Sequence, residues 1–278
     1  MELNENFLNS IRKNIPKDTT FFGIFLIGSQ NYCLNNSKSD EDYIAFVIPK
    51  LFPNFLNYSN KIKEKKILLE TKIISSPLKD YSTCPPSSVT IKYKDIRDFW
   101  NGLLKGNLNS IELLFSKNYY IEPKYSFVET FLKENKENLC LLDPLNLLRS
   151  IQGMVNSNFK NKTYNSNHNY RVYHAYRLIN LVGAISLNGF KSNPFTSFNF
   201  IPKDTLLYLK EKGYSASIEK YKEELLENFS RCIYELRYKY SDPSFKASQE
   251  DFIEEFNDFL FNQVCPEMFL KDLKGVFE

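Results

Sequence analysis

The fold is decided by residues 22–48, which read FGIFLIGSQNYCLNNSKSDEDYIAFVI. An apolar run of strand length opens this segment and stops at Gly28 and Ser29. A second run, rich in β-branched and aromatic residues, covers 43–48 and stops at Pro49. The residues between the two runs are polar, which favours a loop or a short helix. The segment therefore predicts two buried strands joined by a polar connection.

The two ends of this connection have the chemistry of a phosphate and metal site. Gly28 lets the backbone approach a ligand closely, and the Ser29 hydroxyl can bond a phosphate oxygen. Asp40 and Asp42 lie two residues apart at the start of the second strand, so their carboxylates face the same side. Paired carboxylates repel each other unless a divalent cation holds them, and Mg²⁺ prefers oxygen ligands. An isolated pair is more often a solvated turn, but the flanking strands favour a Mg²⁺ site, with Glu41 pointing away into solvent.

The next part of the chain completes a mixed α/β unit. Helical spacing of apolar residues covers 5–15, and strict alternation predicts a strand over 89–93. That strand leads into a helix from about Asp95. A further strand or hairpin is expected over 60–75, followed by a proline-rich loop over 76–88.

The remaining sequence predicts helices. Their apolar spacing covers 145–155, 172–187, 203–212, 218–238, 249–261 and 266–275. The predicted fold class is therefore α+β. We expect a small mixed sheet with flanking helices over residues 1–120 and an all-helical part over residues 121–278.

Composition narrows the classes of protein that this chain fits. Its 278 residues carry a net charge of +3 from 36 basic and 33 acidic side chains, which excludes a strongly basic nucleic-acid binder. Five cysteines without a CxxC pair argue against a zinc site or a disulfide framework. The N-terminus is polar, and no apolar run reaches the ~20 residues that span a bilayer. We expect a cytoplasmic protein with no membrane partner.

The order of these features resembles the polymerase-beta-type nucleotidyltransferase superfamily. The match comprises a buried strand, Gly28-Ser29, a short helix, Ser39-Asp40-Glu41-Asp42 and a second buried strand. It is similar in particular to a phage and bacterial branch related to the RNA-ligase-associated predicted nucleotidyltransferases. Later stretches that resemble this branch are Asp95-Ile96-Arg97, Lys105-Gly106-Asn107, residues 111–115 and His174–Leu178.

The resemblance implies a metal-dependent nucleotidyltransferase. Asp40 and Asp42 would be catalytic and hold Mg²⁺, while Gly28, Ser29 and Gln30 would bind the phosphates of a nucleoside triphosphate. An acceptor hydroxyl, such as an RNA or tRNA end, would attack the α-phosphate. The helical part would bind the base or the acceptor.

Two residues of the later stretches are further candidates for nucleotide binding. His174 and Arg177 share one helix face and could reach a phosphate, or they could be a packed histidine beside a surface arginine. For Arg97, Lys105 and Glu112 we expect solvated helix faces and ordinary ion pairs.

The chain departs from the family pattern where active members carry a third carboxylate. The strand positions that alternate toward the cleft are Thr90, Lys92 and Lys94, and none is acidic. The ammonium of Lys92 would pair with the aspartates and take the electrostatic role of a metal ion. The missing acid could instead be Asp95 or Glu70, or a single metal ion could suffice.

A second departure is Cys33, because the related branch favours glycine after Asn-Tyr. Together the two departures support an alternative function. The chain would then be a catalytically degenerate nucleotidyltransferase fold that binds RNA or a protein target, for example in phage–host conflict.

Overall fold

The computed structural model of the chain describes residues 3–17, 19–35, 39–49, 89–160, 166–212 and 216–264. The strand or hairpin expected over 60–75, the loop over 76–88 and the helix over 266–275 lie outside these ranges. Within them, no helix is long and apolar enough to cross a membrane.

Four strands form one mixed sheet in the order β3-β2-β1-β4. Strand β1 (Thr19–Ile27) pairs antiparallel with β2 (Glu41–Pro49), which pairs in parallel with β3 (Val89–Asp95). Strand β4 (Tyr119–Ile121) runs antiparallel to β1 along its other side. With helices flanking this sheet and forming the C-terminal part, the predicted α+β fold class is confirmed.

Each face of the sheet has its own apolar core. Alternation along β2 directs Tyr43 and Val47 to one face, where helix α1 (Glu5–Lys13) packs against them. Ile44 and Phe46 point to the other face and join a larger core built with the remaining helices. A sheet buried on both faces explains why the strand runs are almost continuously apolar.

Nine helices follow β3 in the described part of the chain. They are α2 (Ile96–Leu104), α3 (Leu108–Leu113), α4 (Ser126–Glu134), α5 (Lys136–Cys140), α6 (Pro144–Lys160), α7 (Ser166–Asn188), α8 (Lys203–Lys212), α9 (Ala216–Tyr240) and α10 (Pro243–Phe259). Five of the six predicted C-terminal helices correspond to α6–α10. The apolar pattern of the sequence did not predict β4, α4 or α5.

The larger core continues across the expected boundary at residue 120. It includes Phe25 and Phe46 of the sheet together with Val155 of α6 and Phe256 of α10. The indole of Trp100 in α2 lies 6.2 Å, between ring centroids, from the ring of Phe256. The sheet and the C-terminal helices therefore pack against each other in one apolar core.

Candidate functional site

The turn after β1 is built around a glycine with a left-handed backbone. Gly28 has φ +76°, and residues 28–30 form a single 3₁₀ turn. Its carbonyl accepts hydrogen bonds from the amides of Asn31, at 2.9 Å, and Tyr32, at 3.2 Å. A Cβ placed on Gly28 would lie 3.5 Å from Oδ2 of Asp42. The turn therefore lies directly against that carboxylate.

The structure brings the predicted carboxylate pair together beside the turn. Asp42 is paired with Ile27, the last residue of β1, and its side chain is half-buried. Burial raises the pKa of Asp42, the charge of Lys92 lowers it, and the charge of Asp40 raises it further. Asp40 is exposed just before β2. The pair thus combines a half-buried carboxylate with a solvent-facing one.

Glu41 points to the opposite face of the sheet, as the alternation predicts, but the expectation that it is solvated was wrong. It is only 9% exposed, and its Oε2 accepts a hydrogen bond of 3.0 Å from the hydroxyl of Tyr43. The hydroxyl of Tyr43, on the sheet face covered by α1, is thus a buried partner of this carboxylate.

Strand β3 presents a lysine to the carboxylate pair. In the parallel register Thr90 is the partner of Asp42, and Lys92 is the partner of Ile44. Val89 and Ile91 point to the α1 face, so Thr90 and Lys92 share the face of Asp42. Lys92 is thus two residues further along the sheet than Asp42, and its charge lowers the pKa of that carboxylate.

Of the two acids considered as third ligands, Asp95 is not brought to this pair. Asp95 ends β3 opposite Val47, five residues along the strand from the Thr90 pairing, or ~16 Å away. Its carboxylate caps α2, accepting a 2.9 Å hydrogen bond from the amide of Arg97 and pairing with that guanidinium. Glu70 lies outside the described residues. Across the described ranges, no three His, Cys, Asp or Glu side chains form a group that could hold a metal ion.

Glu112 is buried at the candidate site, whereas the sequence predicted a solvated helix face. It is 6% exposed rather than solvated, and its carboxylate lies behind the glycine turn. Oε1 accepts a 3.1 Å hydrogen bond from the amide of Gly28, and Oε2 accepts one from the hydroxyl of Tyr32. Burial raises the pKa of Glu112, which the charge of Arg177 and these two hydrogen bonds partly offset. An acidic residue within the apolar run 111–115 was the signal in the sequence.

Arg177 and His174 lie next to each other on α7, but behind the turn. Arg177 is 7% exposed, and its guanidinium carbon lies 4.0 Å from the centroid of the Tyr32 ring. Its Nη2 donates to Nδ1 of His174 at 3.3 Å. Burial, together with the charge of Arg177, lowers the pKa of His174 to about 4, so the imidazole is neutral at pH 7.

Cys33 adopts the left-handed backbone conformation, with φ +58°. Among the described non-glycine residues it is the one with a positive φ. An L-residue pays roughly 1–2 kcal/mol in this region, whereas glycine adopts it freely. The preference for glycine suggested by the resemblance therefore has a backbone explanation at this position.

A lysine from the helical part holds the other end of the connection. Nζ of Lys210, on α8, donates to the carbonyl of Leu34 at 2.8 Å and to Oγ of Ser39 at 2.9 Å. Ser39 precedes Asp40 directly. Lys210 and Ser39 are 171 residues apart in the sequence, and no local pattern predicts their contact.

No known protein-family model matches this sequence, and a search of curated proteins finds no relative.

Proposed function

We propose that the cleft at the Gly28 turn binds a nucleoside triphosphate and transfers its nucleoside monophosphate to an acceptor hydroxyl. The observation that carries this proposal is the contact between the glycine turn and the Asp42 carboxylate, 3.5 Å from a Cβ position on Gly28. A tight turn that admits phosphate next to paired carboxylates is an arrangement suited to phosphoryl chemistry. An RNA or tRNA end is the preferred acceptor, by analogy with the family that the sequence resembles.

Each residue of the turn would have its own task. The Gly28 amide is bonded to Glu112, so the phosphates would be met by the Ser29 hydroxyl and by backbone further along the turn. Gln30, half-buried in the same turn, would border the phosphate chain. Asp42 would lie closest to the reacting phosphate, and the exposed Asp40 would face the incoming nucleotide.

The carboxylate pair fits Mg²⁺ in donor chemistry, since both ligands are hard oxygens from neighbouring residues. Two carboxylates leave most of the coordination to water and to the nucleotide phosphates, which is the usual mode of Mg²⁺ binding. When bound to Asp40 and Asp42, the ion would supply charge stabilisation to the transferred phosphoryl group.

A second candidate function is favoured by Lys92 and by the position of Asp95. Lys92 of β3 lies on the same face of the sheet as Asp42, and the carboxylate of Asp95 caps α2. Among the described residues, β3 therefore places a cation, and not a third acid, on the face that carries Asp42. A cleft of this kind would hold RNA or a protein target without catalysing transfer.

The test is isothermal titration of the protein with ATP, GTP, CTP and UTP, with and without Mg²⁺. The same titrations on Asp40→Asn/Asp42→Asn show whether the pair is responsible for any binding. The matched control, Asp251→Asn/Glu255→Gln, removes two exposed carboxylates from α10. Mg²⁺-dependent binding that disappears only in the first variant supports transfer, and a labelled nucleotide then identifies the acceptor. Binding that is absent or indifferent to Mg²⁺ rejects transfer and supports the non-catalytic function.

A further inference from the structure

A line of buried contacts connects α7 to the glycine turn. The guanidinium of Arg177 lies over the ring of Tyr32, with 4.0 Å between its carbon and the ring centroid. The hydroxyl of Tyr32 donates to one oxygen of Glu112, and the other oxygen accepts from the amide of Gly28 at 3.1 Å. Each of the three side chains is at most 7% exposed. The line therefore runs through the interior of the molecule.

Glu112 is kept in this interior by specific partners. A buried carboxylate is unfavourable unless hydrogen bonds and an opposite charge compensate for its lost hydration. Here one oxygen has a backbone donor, the other has a phenol donor, and the charge of Arg177 acts on the group from beyond the ring. Removing any one partner leaves a buried polar group poorly compensated.

Hydrogen bonds also fix the orientation of the peptide planes in the turn. The amide of Gly28 is used by Glu112, and the carbonyl of Ser29 accepts a 2.9 Å hydrogen bond from the amide of Leu34. A peptide plane with a buried hydrogen bond cannot rotate without breaking that bond. The orientation of the Ile27–Gly28 peptide is thus fixed from behind by Glu112 of α3, while Leu34 fixes the carbonyl of Ser29.

We infer that Glu112 is a positioning residue for the turn at Gly28 and Ser29, and that Arg177 acts on the turn through Tyr32 without touching the ligand. The inferred effect on nucleotide affinity rests on the proposed function. The inferred effect on the turn does not.

The first arm of the test compares Glu112→Ala with Glu112→Gln. Glutamine keeps an oxygen that can accept from the Gly28 amide, whereas alanine removes it. The readouts are the ¹H–¹⁵N chemical shift and hydrogen exchange of the Gly28 amide. The control is Leu132→Ala, which removes a buried side chain of α4 and lowers stability without touching the turn.

The expected result is that Glu112→Ala shifts the Gly28 amide and speeds its exchange, while Glu112→Gln stays much closer to the wild type. Leu132→Ala should lower the melting temperature about as much as Glu112→Ala does, but it should leave the chemical shift of the Gly28 amide unchanged. If the alanine variant does not fold, Tyr32→Phe replaces it, because that change removes only the hydroxyl and keeps the ring below Arg177. An unchanged Gly28 amide in the folded variants overturns the inference.

The second arm measures nucleotide affinity for Glu112→Ala, Arg177→Met and the double variant. A misplaced turn should weaken binding about 10-fold or more in each single variant. The double variant should be little worse than either, because both residues act through one unit. Additive losses would mean that Arg177 contacts the ligand independently, which overturns its assignment. If the wild type binds no nucleotide, the proposed function fails, and the amide measurement alone decides whether Glu112 positions the turn.

Discussion

At the scale of single residues, His174 is the group whose titration should be visible in stability. Its imidazole is half-buried and lies parallel to the ring of Tyr170, with 6.2 Å between the ring centroids. The imidazole also accepts a hydrogen bond from the guanidinium of Arg177. Burial and the neighbouring guanidinium lower its pKa from 6.5 to about 4. The folded state therefore favours the neutral form over the pH range in which an unfolded histidine takes up a proton.

We predict that folding loses stability as the pH falls from 6.5 to 4. Above pH 6.5 His174 is neutral in both the folded and the unfolded state, and protonation costs the folded state nothing. As the pH falls toward the folded-state pKa, the unfolded state takes up the proton first, so the free energy of unfolding decreases. The wild type should lose about 1–3 kcal/mol more than His174→Gln across this interval. Urea unfolding at several pH values measures the difference. His168→Gln is the control, and an equal pH slope in the wild type and His174→Gln contradicts the prediction.

The sequence was sufficient to select candidate site residues, but it did not predict the contacts that surround them. Gly28, Asp40 and Asp42 could be singled out because turn chemistry and period-two alternation are local properties. The apolar run around Glu112 was a local signal of its burial, but its partners could not be predicted, because Tyr32 lies 80 residues away in the sequence and Arg177 lies on a helix further along the chain.

At the scale of elements, the corner between α2 and α3 is fitted closely to α6. Gly106 has φ +56°, and a Cβ on it would lie 2.1 Å from the carbonyl oxygen of Asp143. The side chain of Asn146 donates to the carbonyl of Lys105 at 2.5 Å across the same contact. By contrast, Gly153 lies within α6, and a Cβ added there would meet no atom within 4 Å. This corner holds α3, and with it Glu112, in place.

We predict that alanine has opposite effects at these two glycines. Gly106→Ala should lower the free energy of unfolding by about 2–4 kcal/mol, from backbone strain and a clash with α6. Gly153→Ala should raise the free energy of unfolding by about 0.5–1 kcal/mol, because alanine has a higher helix propensity than glycine at an exposed position inside a helix. Chemical denaturation of the two variants beside the wild type measures both changes. A shift of the same sign at both positions would contradict the corner geometry.

Elements with long periodic patterns were the ones that could be predicted. The strands β1, β2 and β3 and the helices α6–α10 each carry enough apolar repeats to define their type. Strand β4 has three residues, too few for alternation to be visible, and it exists because the edge of β1 offers it hydrogen bonds. Its formation is a tertiary effect.

At the scale of the whole molecule, side chains of the helical part contact the segment that connects β1 to β2. Arg177 of α7 reaches Tyr32, and Lys210 of α8 reaches Ser39 beside Asp40. The apolar core likewise runs from the sheet into α10 without interruption. A division at residue 120 follows the composition of the chain, but the side-chain contacts cross it.

We predict that the sheet and the C-terminal helices unfold together. Trp100 is the single tryptophan of the chain and packs on Phe99, at 4.8 Å between centroids, and on Phe256. Its fluorescence reports on α2, while circular dichroism at the helical wavelength reports mainly on α6–α10. The two signals should give one coincident thermal transition, since one core serves both parts. Separate midpoints would show that the parts fold independently.

Lys92, on the same face of the sheet as Asp42, bears on how easily the charge of this site can be reversed. Lysine and glutamate codons differ only at the first base, so one A-to-G mutation exchanges an ammonium for a carboxylate at residue 92. That exchange would turn the local charge facing Asp42 from opposing a cation to attracting one. Because the strand position and its register would stay the same, one mutation at residue 92 separates the charge pattern expected of the proposed transfer function from that of the proposed non-catalytic one.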